Sequence, residues 1–196
     1  MSTASSSLWF PGAFILTSDE KLRRFEQIIS PHLASAFNLA RWLAGNREDA
    51  EDIVQESFLR AFASIETFRG IDGRPWLLAI VRNTALTWLK KNRQSSMAME
   101  IDESAIAALG ANPEALMLSA ANREQVRAAL EQLPMEFRES IVLREMEELS
   151  YKEISMVTGA PMGTVMSRLS RGRDWLRGLL VKSGAEGMKA KGATSE

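Results

Sequence analysis

Apolar residues recur along this chain at spacings of three and four, the period of helices packed on a core, and no stretch alternates long enough to mark a strand. Ser30-Pro31 pairs a cap with a proline at the first helical position. Leu33, Phe37, Ala40 and Leu43 follow in register until Gly45-Asn46 ends the run, which predicts a helix over about residues 31–44. A second helix starts near Glu48, where acidic residues suit the positive helix end, and turns Val54, Phe58, Ala61, Phe62 and Ile65 inward. Phe68-Arg-Gly-Ile-Asp-Gly-Arg74 is a loop. Pro75 opens a third helix with Leu77, Ile80 or Val81, Thr84 and Trp88 inward, ending at Lys90-Lys-Asn-Arg-Gln94.

Helical patterning resumes at Asn112-Pro113, which starts a helix through about Leu133. Pro134 opens the next, with Phe137, Ile141 and Met146 among its apolar positions. The predicted fold class is all-α: two small helical domains joined by an acidic flexible linker. The expected boundaries are a flexible extension over 1–20, a first domain over 21–94, a linker over 95–112, a second domain over 113–182 and a disordered tail over 183–196.

The second domain ends in the most informative local pattern. Ser150 and Glu153 have the spacing of a capping box, in which each side chain satisfies an open backbone N–H at a helix start. Ile154 and Val157 give that helix one apolar face, Gly159 permits a sharp turn, and Pro161 opens a following helix. In that helix Val165, Leu169, Gly172 and Leu176 face inward, leaving Thr164, Ser167, Arg168, Ser170, Arg171 and Arg173 outward. This is a helix-turn-helix. Small hydroxyls let such a helix sit close to base edges in a major groove, and arginines reach guanine edges or phosphates. A solvated amphipathic helix would carry the same basic face, but the capped helix and glycine turn before it favour a DNA reader.

The formal charge of -1 runs against nucleic-acid binding until its distribution is considered. Arg82 to Arg93 holds four basic residues and no acidic one, whereas Gln94 to Ser119 holds four acidic residues and no basic one. Two basic modules flank an acidic connector. With no cysteine and one histidine, His32, expected on an exposed first turn, the chain offers no disulfide, zinc finger or histidine-dependent catalysis. No catalytic or metal-ligating set is expected, and no cofactor. The leading Met-Ser-Thr-Ala-Ser-Ser-Ser lacks the charged start of a signal peptide. The Leu8–Leu16 run is broken by Pro11-Gly12 and is too short to cross a bilayer, so no membrane insertion is expected.

One motif remains unexplained by folding alone. In Asp49-Ala-Glu-Asp-Ile-Val-Gln-Glu-Ser-Phe-Leu-Arg60, Asp49, Asp52 and Glu56 share one helix side with Gln55 beside them. Such like-charge crowding is relieved by a basic partner, although a solvated acidic face would look the same. This segment, then Phe68-Arg-Gly, then Pro75-Trp-Leu-Leu-Ala-Ile-Val-Arg-Asn83, then the helix-turn-helix, strongly resembles in order and spacing the extracytoplasmic-function sigma factors of the sigma-70 family. The resemblance covers about residues 21–94, similar to sigma region 2, and 113–182, similar to region 4.

The resemblance implies a dissociable, non-catalytic cytoplasmic subunit that gives core RNA polymerase its choice of promoter DNA, and an anti-sigma factor that restrains it. Asp49, Asp52, Gln55 and Glu56 match the helix that docks on the largest polymerase subunit. Arg69, Gly70, Asp72 and Arg74 fall in the loop that captures a flipped base of the -10 element. Arg82, Asn83, Lys90, Lys91 and Arg93 match the helix lying along -10 DNA. Thr164, Ser167, Arg168, Ser170, Arg171 and Arg173 match the -35 reader, with Arg168 and Arg173 placed on phosphates. Trp76 and Trp88 read as core residues rather than base-stacking platforms. Thr87 stands where many members have Asp, and Met166 where several have Arg, which implies an altered -35 preference. In the linker, Met97, Met99, Ile101 and Ile106 suit either an apolar groove or a plain tether. A decoy that captures an anti-sigma factor would lack the basic residues of both DNA-facing helices. An ordinary helix-turn-helix repressor or activator would leave the Asp49–Arg60 and Pro75–Asn83 motifs without a purpose.

Overall fold

A computed structural model describes residues 17–92 and 125–192, with side chains to Val181. The N-terminal Leu8-Trp9-Phe10-Pro11 patch, Arg93 and the linker calls at Met97, Met99, Ile101 and Ile106 lie outside the described residues, as does most of the helix expected from Pro113. Every regular element among the described residues is helical.

The first helix, α1 (Ser18–Ile28), begins at the end of the segment expected to be a flexible extension and runs mainly inside the first expected domain. Thr17 and Glu20 form a reciprocal capping box there, so this start rests on a signal present in the sequence. After a short 3-10 turn (Ser30–His32) come α2 (Leu33–Ala44), α3 (Arg47–Ser64) and α4 (Gly73–Asn92). Gly45 closes α2 at φ 89°, in the left-handed region that glycine adopts without strain. Asn46 caps α3 by accepting the Asp49 amide.

These helices pack on one another through Ala36, Leu39, Ala40 and Leu43 of α2, Ala50, Ile53, Val54 and Ala61 of α3, and Leu77, Leu78, Val81 and Ala85 of α4. Phe25 of α1 meets Phe58 and Phe62 edge-on, with ring centroids 5.8 and 5.3 Å apart. Two expectations fail here. Leu33 is exposed, because the 3-10 turn rotates the start of α2 relative to the single helix predicted from Pro31. His32 is half-buried rather than exposed, since that turn brings its Nε2 to 3.8 Å from Asp72.

The second half comprises α5 (residues 125–131), α6 (Met135–Ile141), a π-helical turn (Val142–Met146), α7 (Tyr151–Thr158) and α8 (Met162–Gly192). Its core gathers Leu130, Leu133, Ile141, Val142, Leu143, Leu149, Ile154, Val157, Val165 and Leu169. Gly172 allows α8 to lie close on α6: a Cβ there would sit 3.2 Å from the Ile141 side chain. Met146, expected inward, is 39% exposed because the wide turn carries it off the helical register. The tail expected to be disordered from 183 continues α8 to Gly192, consistent with its run of helix-favouring Ala, Glu, Met and Lys.

The two cores are contiguous. α7 packs on α4 and α6 on α2, so the buried apolar residues of both halves form one cluster.

Candidate nucleic-acid interface

The helix-turn-helix is built as its residues require. Ser150 Oγ accepts the Glu153 amide, the Glu153 carboxylate accepts the Ser150 amide at 2.7 Å, and Gly159 turns the chain at φ 67°. The Ser150 hydroxyl and then the Ser150 amide, both donating to the Glu153 carboxylate, hold that carboxyl below the usual carboxylate range. On α8, Val165 and Leu169 are buried and Gly172 sits against α6. Ser167, Ser170 and Arg171 stand in solvent, as does Met166, while Thr164 and Arg168 are half-buried. Arg173 is not a free cation: its Nη2 donates to Glu145 at 2.7 Å, and the bonds to Glu145 and then Tyr151 raise its pKa further.

In the loop before α4, Arg69 is exposed and folds back on the carbonyls of Glu66 and Phe68. Gly70 is required by packing, because a Cβ would come within 2.7 Å of the Phe68 ring. Ile71, between the two, is fully exposed. Asp72 accepts the Arg74 amide at 2.9 Å and so helps start α4. A pocket behind this loop is lined by Phe68, Gly70, Asp72, Trp76 and Ala79, with Met156 of α7 at its edge. Trp76 is half-buried against Phe68, with centroids 5.0 Å apart, in keeping with a packing role.

Along α4, Asn83, Lys90 and Lys91 are exposed, whereas Arg74 and Arg82 are occupied. Arg74 Nη2 donates to Glu147 at 2.6 Å, and Arg82 forms a two-pronged pair with Glu139. Both carboxylates come from the second half and are almost inaccessible, at 4% and 2% exposure. Burial raises Glu139 above the usual carboxylate range against the opposing pull of Arg82. Burial acts the same way on Glu147, but the hydrogen bonds from Ser35, Asn38 and Arg74 outweigh it and hold that group low. No sequence signal marks Glu139 or Glu147, since pairing across more than fifty residues leaves no local spacing to detect.

The acidic face of α3 is more self-contained than its composition suggests. Asp49 accepts from Asn46 Nδ2 at 2.9 Å and Glu56 pairs with Arg60 at 2.7 Å, leaving Asp52 and Gln55 exposed between them. Beside them a groove between α3 and α4 is lined by Asp52, Gln55, Glu56, Leu59, Thr87, Trp88 and Lys91. Trp88 is half-buried there, its indole N–H shielded from solvent and without a hydrogen-bond partner.

Comparison with known proteins agrees with this arrangement. Residues 28–95 match the family model described as Sigma-70 region 2, and residues 123–176 match Sigma-70, region 4. The ECF RNA polymerase sigma factor SigE of Mycolicibacterium smegmatis is 35% identical over 175 residues, spanning 88% of this chain and 68% of that protein. The chain belongs to the extracytoplasmic-function sigma factors. A second relative of this sigma family, the ECF RNA polymerase sigma-E factor of Escherichia coli, is 38% identical over 137 residues, spanning 64% of this chain and 71% of the relative. Among solved structures, the sigma factor RpoE in complex with the anti-sigma factor NepR from Bartonella quintana aligns with a TM-score of 0.66 at 29% identity, covering 81% of this sigma factor and 97% of that chain. CnrH in complex with the cytosolic domain of CnrY aligns at 0.58 and 25%, covering 82% and 90%.

Proposed function

We propose that this sigma factor is a non-catalytic, dissociable subunit acting in the cytoplasm, which directs core RNA polymerase to promoters through a -10 surface on the first half and a -35 reader on the second. The observation that carries the reading is the open face of α8: Ser167, Ser170 and Arg171 stand in solvent behind a capped α7 and a glycine turn, in a chain that also holds region 2. Synthesis of RNA belongs to the polymerase. The sigma factor's contribution is binding energy, which offsets the cost of unstacking the -10 strand by holding the extruded base and backbone.

Each cluster has a proposed task. The exposed Asp52 and Gln55, flanked by Asp49 and Glu56, supply acceptors for basic groups of the polymerase, and Leu59 with the half-buried Trp88 ring adds an apolar groove beside them. Arg69, Gly70, Asp72 and Arg74 frame the base-capture loop, and Arg82, Asn83, Lys90, Lys91 and Arg93 line the single strand. Thr164 and Arg168 flank the -35 reading face. Arg173 reaches a phosphate only by exchanging Glu145 for it, a fair exchange because both partners are oxyanions. The structurally similar sigma factor RpoE is bound to an anti-sigma factor, and the similar CnrH to the cytosolic domain of CnrY, which supports a regulator bound here as well.

Transcription from fragmented host DNA by core polymerase and this protein tests the reading. Discrete 5′ ends sharing a two-part upstream motif are expected. Their disappearance in Asp52→Arg/Glu56→Arg, with far-UV circular dichroism unchanged, is expected because the swap puts cations where acceptors are needed. Absence of discrete starts, with polymerase that is competent with another sigma subunit, refutes the assignment.

A further inference from the structure

Most polar groups at the start of α8 are already committed within the protein. The Ser167 hydroxyl donates to the Thr164 carbonyl at 2.9 Å, which leaves it to a ligand only as an acceptor. Arg173 is paired with Glu145 at 2.7 Å, and Arg168 is half-buried and close enough to Glu139 for its charge to act on that carboxyl. The side chains of Ser170 and Arg171 make no hydrogen bond or ion pair among the described residues. Met166 stands with them. It is 46% exposed, next to Ser167 and one turn before Ser170, while the buried Val165 and Leu169 fix the rotation of the helix about its axis. Gly163, one turn earlier, has nothing within 4 Å of the place a Cβ would take, so the start of the helix can be approached closely.

Early residues of a recognition helix reach base edges, and the edges shown in a major groove carry donors, acceptors and one apolar group, the C5 methyl of thymine. A thioether has no donor for guanine O6 and N7 and is a weak acceptor for an exocyclic amine. Over a G·C pair it would cover these groups without replacing the water they lose. Against a thymine methyl it forfeits no hydrogen bond there, and apolar surface of both partners leaves water. We infer that Met166 is a specificity-determining contact of the -35 reader, selecting thymine by packing its thioether on the C5 methyl. The inference deepens the -35 role proposed above and rests on it. Exposed apolar side chains are ordinary on protein surfaces, and exposure alone carries nothing. Met166 differs in its place: it is the apolar member of the few uncommitted groups on a face shaped to enter a groove, with Ser170 and Arg171 left to make the polar contacts beside it.

Holoenzyme assembled from core RNA polymerase and the full chain can select its own sites from DNA duplexes randomised over the promoter region. Wild-type protein is expected to enrich an upstream element with dT, on one strand, at a position that Met166→Arg changes to dG and Met166→Ala leaves without preference. The rest of the element should stay the same. Met166→Leu, apolar but without sulfur, should keep dT. On the enriched duplex, replacing that dT by dU deletes the methyl group alone. This change should weaken binding of the wild-type holoenzyme about fourfold, the contribution of one methyl group removed from water, and should leave binding by Met166→Ala unchanged. Helical content should be the same in every variant, since the side chain is exposed. An element identical in wild type and Met166→Arg, or equal binding of the dT and dU duplexes by wild type, overturns the methyl contact while α8 remains the -35 reader. Enrichment of no upstream element by the wild-type holoenzyme, with polymerase that selects sites with another sigma subunit, overturns the -35 role itself and the contact with it.

Discussion

Gly73 shows how much one missing methyl group can decide at the residue scale. A Cβ at this position would lie 2.5 Å from Ile28 Cγ2 and 2.6 Å from the Ile28 carbonyl oxygen, and the second atom belongs to the backbone and cannot rotate away. Gly73→Ala is therefore expected to lower stability by about 1–3 kcal/mol through overpacking, seen as a drop in the urea midpoint. Gly178 is the contrast: nothing lies within 4 Å of its Cβ position inside α8, so Gly178→Ala should raise stability by about 0.5–1 kcal/mol. Equal shifts at the two positions would contradict this contact geometry. Glycines such as Gly45 and Gly159, which end helices at positive φ, were legible from the sequence because turn chemistry is local. The demand at Gly73 was not, since it comes from Ile28, far away along the chain.

At the scale of the element, α7 depends on its first turn. It is only 8 residues long, and its capping box satisfies donors that a helix this short cannot leave open. Ser150→Ala should cost about 1 kcal/mol. The box also titrates. Because the bonds to Ser150 lower the folded pKa of Glu153, its contribution is fully present above the unfolded carboxylate value and is lost as pH falls through the folded value. The stability difference between wild type and Glu153→Ala should accordingly be constant near neutrality and shrink on acidification, as followed by urea titrations at a series of pH values. A difference independent of pH would remove the carboxylate from the cap. The same Ser-x-x-Glu spacing makes α7 readable in advance, and the equivalent Thr17-x-x-Glu20 marks the start of α1, whose first turn overlaps the expected flexible extension. Helix periods located α2, α3 and α4 and their buried faces. They failed at Leu33 and Met146, where a 3-10 turn and a π-turn change the residues per turn that the pattern assumes.

For the whole molecule, the sequence conveyed two basic modules and a helix-turn-helix but not how the modules meet, because the meeting is made by Glu139, Glu147, Asn38 and Met156, none of which lies in a recognisable spacing. Their consequence is cooperative. With one continuous apolar cluster, neither half can unfold without exposing the surface that the other covers. Leu169→Ala opens a cavity in the second core and should cost about 2–5 kcal/mol there. If the halves behave as one unit, the loss should be felt equally in the first. Fluorine-labelled tryptophan makes this visible: Trp42, Trp76 and Trp88 report on the first half and Trp175, packed on Phe137 at 6.1 Å, on the second. In the wild-type background the resonances of these four among the five tryptophans should lose their folded intensity at one denaturant concentration, shifted together by Leu169→Ala. In the Asn38→Asp background, where a second carboxylate faces Glu147 between the halves, only Trp175 should respond. A shift confined to Trp175 in the wild-type background would mean that the halves fold independently and that the shared core contributes nothing to their union.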